Sequence, residues 1–175
     1  MVKTEDERDK VTFIYESFYS LMKHVALKYV KKLEDAEDIV QESMISIIER
    51  IDTISISDRN KIKNLCAVVA RSRAIDFCRA KDIHVLPMEE DVALPTDSLA
   101  PIDVILEKEV RTVILREINS LSDIYRDVCI LKYVNRLKER DIAHLLGISP
   151  KTVSTRILRA RHMLREALRK ELLRG

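Results

Sequence analysis

"DIAHLLGISPKTVSTRILRARHML", residues 141–164, decides how the chain is read. Ile142, Ala143, Leu145 and Leu146 give a short helical segment its apolar side, and the small Ala143 lets a second helix approach closely. Gly147 follows, where a chain leaving a helix often needs a left-handed backbone. Ile148 plugs the corner, then Ser149 and Pro150 supply a helix cap and first position. In the second segment Val153, Ile157, Ala160 and Leu164 fall on one side. At about 100° per residue, Lys151, Thr155, Leu158 and His162 point the other way, flanked by Ser154, Arg156, Arg159 and Arg161. A helix-turn-helix with a basic outer face is the predicted layout, and that face suits phosphates and base edges. An ordinary helical hairpin with a solvated basic face has the same pattern, because long Arg side chains also cover apolar surface.

The 175 residues hold 46% hydrophobic and 34% charged residues with only 2 Gly and 4 Pro, a balance that suits an all-α protein. Net charge is only +2, but it is unevenly spread. Arg136–Arg174 carries eleven Lys or Arg against Glu139, Asp141, Glu166 and Glu171. Ile83–Val110 carries Glu89, Glu90, Asp91, Asp97, Asp103, Glu107 and Glu109 against Lys108 alone.

The rest of the chain is also helical in period. Val11–Val30 predicts one long helix or two with a bend. Asp35 is a plausible cap for a helix running to about Ile51. Asp52–Asn60 has no helical period and reads as a loop or frayed end, and Lys61–Lys81 is helical again. The stretch after it is acidic and holds three of the four Pro, so it reads as a linker. Beyond it come an amphipathic Ile102–Ile118, a helix at about Asp123–Val134 capped by Ser122, and a short Leu137–Leu146. The expected organisation is two small helical domains, 1–82 and 105–175, joined by an acidic Pro-containing linker over 83–104, the second domain being the helix-turn-helix.

Several classes are disfavoured. His24, His84, His144 and His162 are scattered, and there is no Gly-rich phosphate loop, so neither a catalytic site, a metal site nor a cofactor is expected. Cys66, Cys78 and Cys129 have no paired spacing and fit a reducing cytoplasm. No stretch reaches the roughly 18 apolar residues of a membrane span, and Met1–Lys10 is too polar for a secretory signal.

Three stretches together resemble the small extracytoplasmic-function (ECF) group of bacterial sigma factors. "FYSLMKHVALKYVKKLEDAEDIVQESMISIIERI" and "IKNLCAVVARSRAIDFCRAKD" resemble sigma region 2, and "YRDVCILKYVNRLKERDIAHLLGISPKTVSTRILRARHMLREAL" resembles region 4. The chain stops shortly after the helix-turn-helix, as the minimal members do, and no sensory domain is expected. The resemblance implies a protein that binds core RNA polymerase and directs promoter-specific transcription initiation. Its implied partners are core polymerase, promoter DNA and an anti-sigma factor, with no direct membrane insertion.

The resemblance also implies sites. "EDAEDIVQES" matches the polymerase-docking helix, which puts Asp35, Asp38, Gln41 and Glu42 on that surface. The loop ending at Asp58 and Asn60 sits where the family captures a flipped −10 base, with Lys61, Lys63, Asn64, Arg71, Ser72, Arg73 and Arg79 along the separated strand. Lys151, Thr152, Ser154, Thr155, Arg156, Leu158 and Arg159 match the −35 contacts, with Arg159 reading a base edge and Thr152 and Arg156 positioning on phosphate. Departures occur at Leu65 for a common Trp, Ser72 for a common Asn, Ala80 for a frequent basic residue and Ser154 for a frequent Lys or Arg. The last three keep open a sigma-like protein that initiates weakly. A stand-alone helix-turn-helix regulator with paired half-sites is the other alternative. The linker is implied to run near the RNA exit path, its charge mimicking nucleic acid, and a polar tether fits it equally well.

Overall fold

The computed structural model describes residues 4–83 and 105–172, and the stretch 84–104, which holds nearly all of the expected linker, lies outside the described residues. Seven α-helices, and no strand among the described residues, form two groups: α1 (Glu5–Ala26), α2 (Leu33–Ile48) and α3 (Arg59–Ala80), then α4 (Ile105–Ser120), α5 (Asp123–Cys129), α6 (Glu139–Leu146) and α7 (Pro150–Leu172).

Local chemistry sets the helix ends. Thr4 caps α1 in a reciprocal box with Glu7, and Glu5, Asp6 and Glu7 favour the positive end of its dipole. Asp58 caps α3, its carboxylate accepting from the Asn60 and Lys61 amides at 3.0 and 3.2 Å. Asp35 is not the cap of α2, contrary to expectation. That position is Lys32, with no side-chain bond, and Asp35 lies in the first turn, 2.8 Å from Lys81 Nζ. Its carboxylate finds a cation just past the end of α3, which the α2 sequence does not contain.

α3 is the axis of the molecule. Every residue from Asn64 to Ala70 is buried, so the helix has no solvent side over that stretch. It packs on α1 and α2 and also on α6 and the turn Ile130–Val134. Ile14, Met22, Ile47, Leu65 and Val69 therefore belong to the same apolar cluster as Leu131, Ile142, Leu145 and Val153. Burying each such side chain stabilises by about 1.5–3 kcal/mol, which couples the two helical groups as well as filling each. Cys66, Cys78 and Cys129 are free thiols inside these clusters.

α5 runs into a π-helical turn, Ile130–Val134, closed by the Asn135 amide on the Ile130 carbonyl at 3.0 Å. The wider turn brings Asn135 against α3, where its side-chain Nδ2 donates to the Lys61 carbonyl at 3.0 Å.

Candidate nucleic-acid and polymerase interface

α6 and α7 meet at Gly147, whose φ of 64° and ψ of 30° are the left-handed values read from the sequence. Ser149 Oγ accepts from the Thr152 amide at 3.0 Å, completing the cap before Pro150. Val153, Ile157 and Ala160 are buried. Lys151, Ser154, Thr155, Leu158, Arg159 and His162 are exposed on the other side, with Thr152 and Arg156 half-buried at the flank. Leu158 is 69% exposed, so packing does not account for an apolar residue there. The Ser154 hydroxyl donates to Glu139, whose carboxyl is held below the usual range by that bond and by Lys132. Ser154 thus joins α7 to α6 as well as standing on the outer face.

On α2, Asp38, Gln41 and Glu42 are exposed beside the exposed Leu33 and Ile45, while Ala36, Ile39, Val40 and Met44 face the core. Asp35 is half-buried and bound to Lys81. The outer surface is thus Asp38, Gln41 and Glu42 around apolar side chains, a composition complementary to a basic surface.

The residues expected on the −10 strand are dispersed in environment. Asp58 is occupied as the α3 cap and lies 3.7 Å from Lys61 Nζ. Asn60, Lys61 and Lys63 are half-buried, and Asn64 is only 4% exposed, with no partner for its carbonyl oxygen. Arg79 is exposed. Arg71, Ser72 and Arg73 turn towards the second helical group. Arg71 forms an ion pair with Asp127, with Asp123 at 3.7 Å. Ser72 Oγ donates to the Leu146 carbonyl at 3.1 Å. The Arg73 guanidinium donates to Ser46 Oγ at 2.8 Å and to the His144 and Leu145 carbonyls at 3.2 and 3.4 Å.

Sequence reasoning missed the partners of these three. Those partners are Asp127, Ser46 and the α6 carbonyls, and further links lie beside them: His144 Nε2 is 2.6 Å from Glu49 Oε2, and the buried Asp141 is 3.7 Å from Arg50. A signal was present in "YRDVCILKYV", where Arg126 and Asp127 interrupt an apolar run. Charges in such a position are buried and need partners. Burial pushes the Asp127 carboxyl up to about 6 against the opposing pull of Arg71. Burial also opposes the Arg71 charge, but Asp127 and Asp123 together hold its guanidinium more firmly protonated.

Residues 14–83 match the family described as Sigma-70 region 2, and residues 111–164 match Sigma-70, region 4. RNA polymerase sigma factor SigV of Bacillus subtilis is 32% identical over 158 residues, 89% of this chain and 87% of that protein. ECF RNA polymerase sigma factor SigW of the same organism is 28% identical over 93% of this chain and 91% of its own length. The chain belongs to the ECF sigma factors. A solved structure of the sigma factor RpoE with the anti-sigma factor NepR from Bartonella quintana is also similar, at 20% identity and a TM-score of 0.42, covering 95% of this chain and 98% of that one.

An ECF sigma factor binds core RNA polymerase and promoter DNA and directs transcription initiation, and the paired region 2 and region 4 matches disfavour a stand-alone regulator. Sigma factors as a class are not enzymes. Among the described residues no group of three or more His, Cys, Asp or Glu gathers as a metal site, and no helix is long and apolar enough to cross a membrane.

Proposed function

We propose that this sigma factor divides promoter recognition between its two helical groups, with boundaries near 1–82 and 105–175 and the acidic linker between. Asp38, Gln41 and Glu42, with Asp35 at the edge, dock on core polymerase. Asp58, Asn60, Lys61, Lys63, Asn64, Arg71, Ser72, Arg73 and Arg79 form the −10 surface. Lys151, Thr152, Ser154, Thr155, Arg156, Leu158 and Arg159 face the −35 element. One observation carries the reading: the outer side of α7 is exposed over Lys151, Thr155, Leu158 and Arg159, while its inner side is anchored by Val153, Ile157 and Ala160. A helix so presented after a tight turn fits the DNA major groove. We place an anti-sigma factor among the partners on the family resemblance. The cytoplasm is the compartment that agrees with three buried free thiols.

Two variants test the division. Asp38→Lys with Glu42→Lys abolishes core polymerase binding while leaving −35 duplex binding intact. Arg159→Ala leaves polymerase binding intact and weakens use of the native −35 sequence. Retained polymerase binding by the charge-reversed α2, measured by co-sedimentation with core enzyme, contradicts the docking assignment.

A further inference from the structure

We propose that Arg59, a residue outside the −10 contacts proposed above, is the platform on which one unstacked base of the separated promoter strand lies. The proposal rests on the reading of the Asp52–Asn60 loop and the start of α3 as the −10 surface.

A base taken out of its stack needs a flat face to lie on as well as groups to meet its edge. The loop offers the second and not the first. Asp52–Asn60 contains no aromatic residue. Its outward side chains include Ser55 and Ser57, both exposed, whose hydroxyls share a hydrogen bond of 2.9 Å. Ile54 is buried and Ile56 half-buried, both in or against the apolar cluster that also takes in Phe13 and Phe18 of α1. The loop thereby lies on the same cluster as two aromatic rings.

Arg59 joins the loop to those rings. It opens α3 directly after the Asp58 cap. Its guanidinium carbon is 5.3 Å from the centroid of Phe18 and 5.8 Å from that of Phe13, and Nη1 donates to Ser17 Oγ at 3.4 Å. The two rings meet edge to face, so the guanidinium sits in a corner between them. The residue is nonetheless exposed, and it forms no ion pair among the described residues. A planar cation held against rings on one side and open on the other is a stacking surface, because guanidinium planes take bases as aromatic rings do.

A long Arg that merely covers apolar surface does so with its stem and keeps its head in water. Here the head itself lies on the rings. Arg71 and Arg73, further along α3, find protein acceptors, whereas Arg59 meets only one hydroxyl. Lys63, one turn along α3 on the same side, also forms no ion pair among the described residues. A phosphate next to the stacked base thus has a cation to meet. Arg59 takes the base, and Phe13, Phe18 and Ser17 are positioning residues that hold its guanidinium.

The experiment uses the full chain bound to core RNA polymerase. The probe is a fork DNA from a start site mapped by transcription, duplex over the −35 element and single-stranded over the −10 element. Bases of that single strand are replaced one at a time by an abasic site. Affinity is measured for the native chain, Arg59→Lys, Phe13→Leu and Lys63→Ala. Lysine keeps the charge of Arg59 and lacks its plane.

Arg59→Lys weakens binding of the intact strand about tenfold, within what one stacked base supplies. When one particular base is removed, the native and Arg59→Lys chains bind alike, and when any other is removed the gap persists. Phe13→Leu loses part of the same affinity, and its loss vanishes at the same abasic position, which general damage to the fold would not produce. A gap that stays equal at every abasic position makes Arg59 a phosphate contact and overturns the proposal. If Arg59→Lys binds normally while Lys63→Ala weakens the strand, the −10 surface stands and the platform is refuted. If neither substitution changes strand affinity, the −10 reading itself has failed and the proposal falls with it.

Discussion

Arg71 on α3 and Asp127 on α5 stand 56 positions apart in sequence and form a nearly buried ion pair, with side chains 11% and 10% exposed. Removing one partner leaves the other charged and desolvated, which typically costs about 3–5 kcal/mol, whereas replacing both with apolar residues of similar size is often neutral. Asp127→Ala should therefore lower stability more than the double substitution Arg71→Met with Asp127→Leu. Denaturant unfolding of all three chains checks the order, and equal losses would show that the pair contributes nothing specific.

The same carboxyl gives a pH dependence. Asp127 is raised from 3.8 to about 6, with burial the largest cause, Arg71 and Arg126 opposing it and Asp123 adding to it. Tyr29 also faces this cluster from the first helical group. The raised value means the folded chain keeps a proton that the unfolded chain has released. The stabilisation that comes from this bound proton is full below about pH 4 and is lost as pH rises through about 6, above which the ion pair with Arg71 remains. Asp127→Asn should flatten that part of the stability profile, and direct NMR titration of the carboxyl should find its midpoint well above 3.8.

Gly147 serves two constraints at once. Its φ of 64° disfavours any residue with a Cβ, and that Cβ would crowd the Arg73 guanidinium. Gly147→Ala should cost roughly 1–2 kcal/mol from the backbone alone, with an added loss from Arg73. In a double-mutant cycle with Arg73→Ala, the added loss disappears while the backbone part remains. Strict additivity would place Arg73 away from the turn in solution.

On α7 the proposed contacts separate by the kind of loss. Arg159→Ala should cost about 1–3 kcal/mol on the native −35 sequence and little on unrelated DNA. Arg156→Ala should weaken all sequences alike and reduce the salt slope by about 1. Leu158 is 69% exposed, and a thymine methyl is the base-edge group an apolar side chain there would meet in the proposed contact. Its loss to Ala should appear only on sequences carrying that methyl, so replacing the relevant thymine by uracil is the check.

Features set within a few residues were legible in the sequence. The turn at Gly147, the Ser149–Pro150 start of α7 and the inward row Val153, Ile157, Ala160 all follow from local pattern, and the structure has them. The Asp35 cap failed because its carboxylate is drawn to Lys81, which follows the last turn of α3, far away in sequence. Arg71 and Arg73 read as a basic face because their partners, Asp127 and the end of α6, are brought near only when the two helical groups meet. The burial of α3 on all sides over Asn64–Ala70 has the same origin. The small residues Ala67, Ala70 and Ala74 were the available hint, since they let helices approach a central one closely.

Run-off transcription with core RNA polymerase on a genomic fragment library separates a sigma factor from a stand-alone regulator. Defined start sites should appear only when this protein is added and should vanish with the Asp38→Lys, Glu42→Lys chain. Core polymerase that neither binds the protein nor changes its start sites, while the protein alone still shifts duplex DNA, would contradict it.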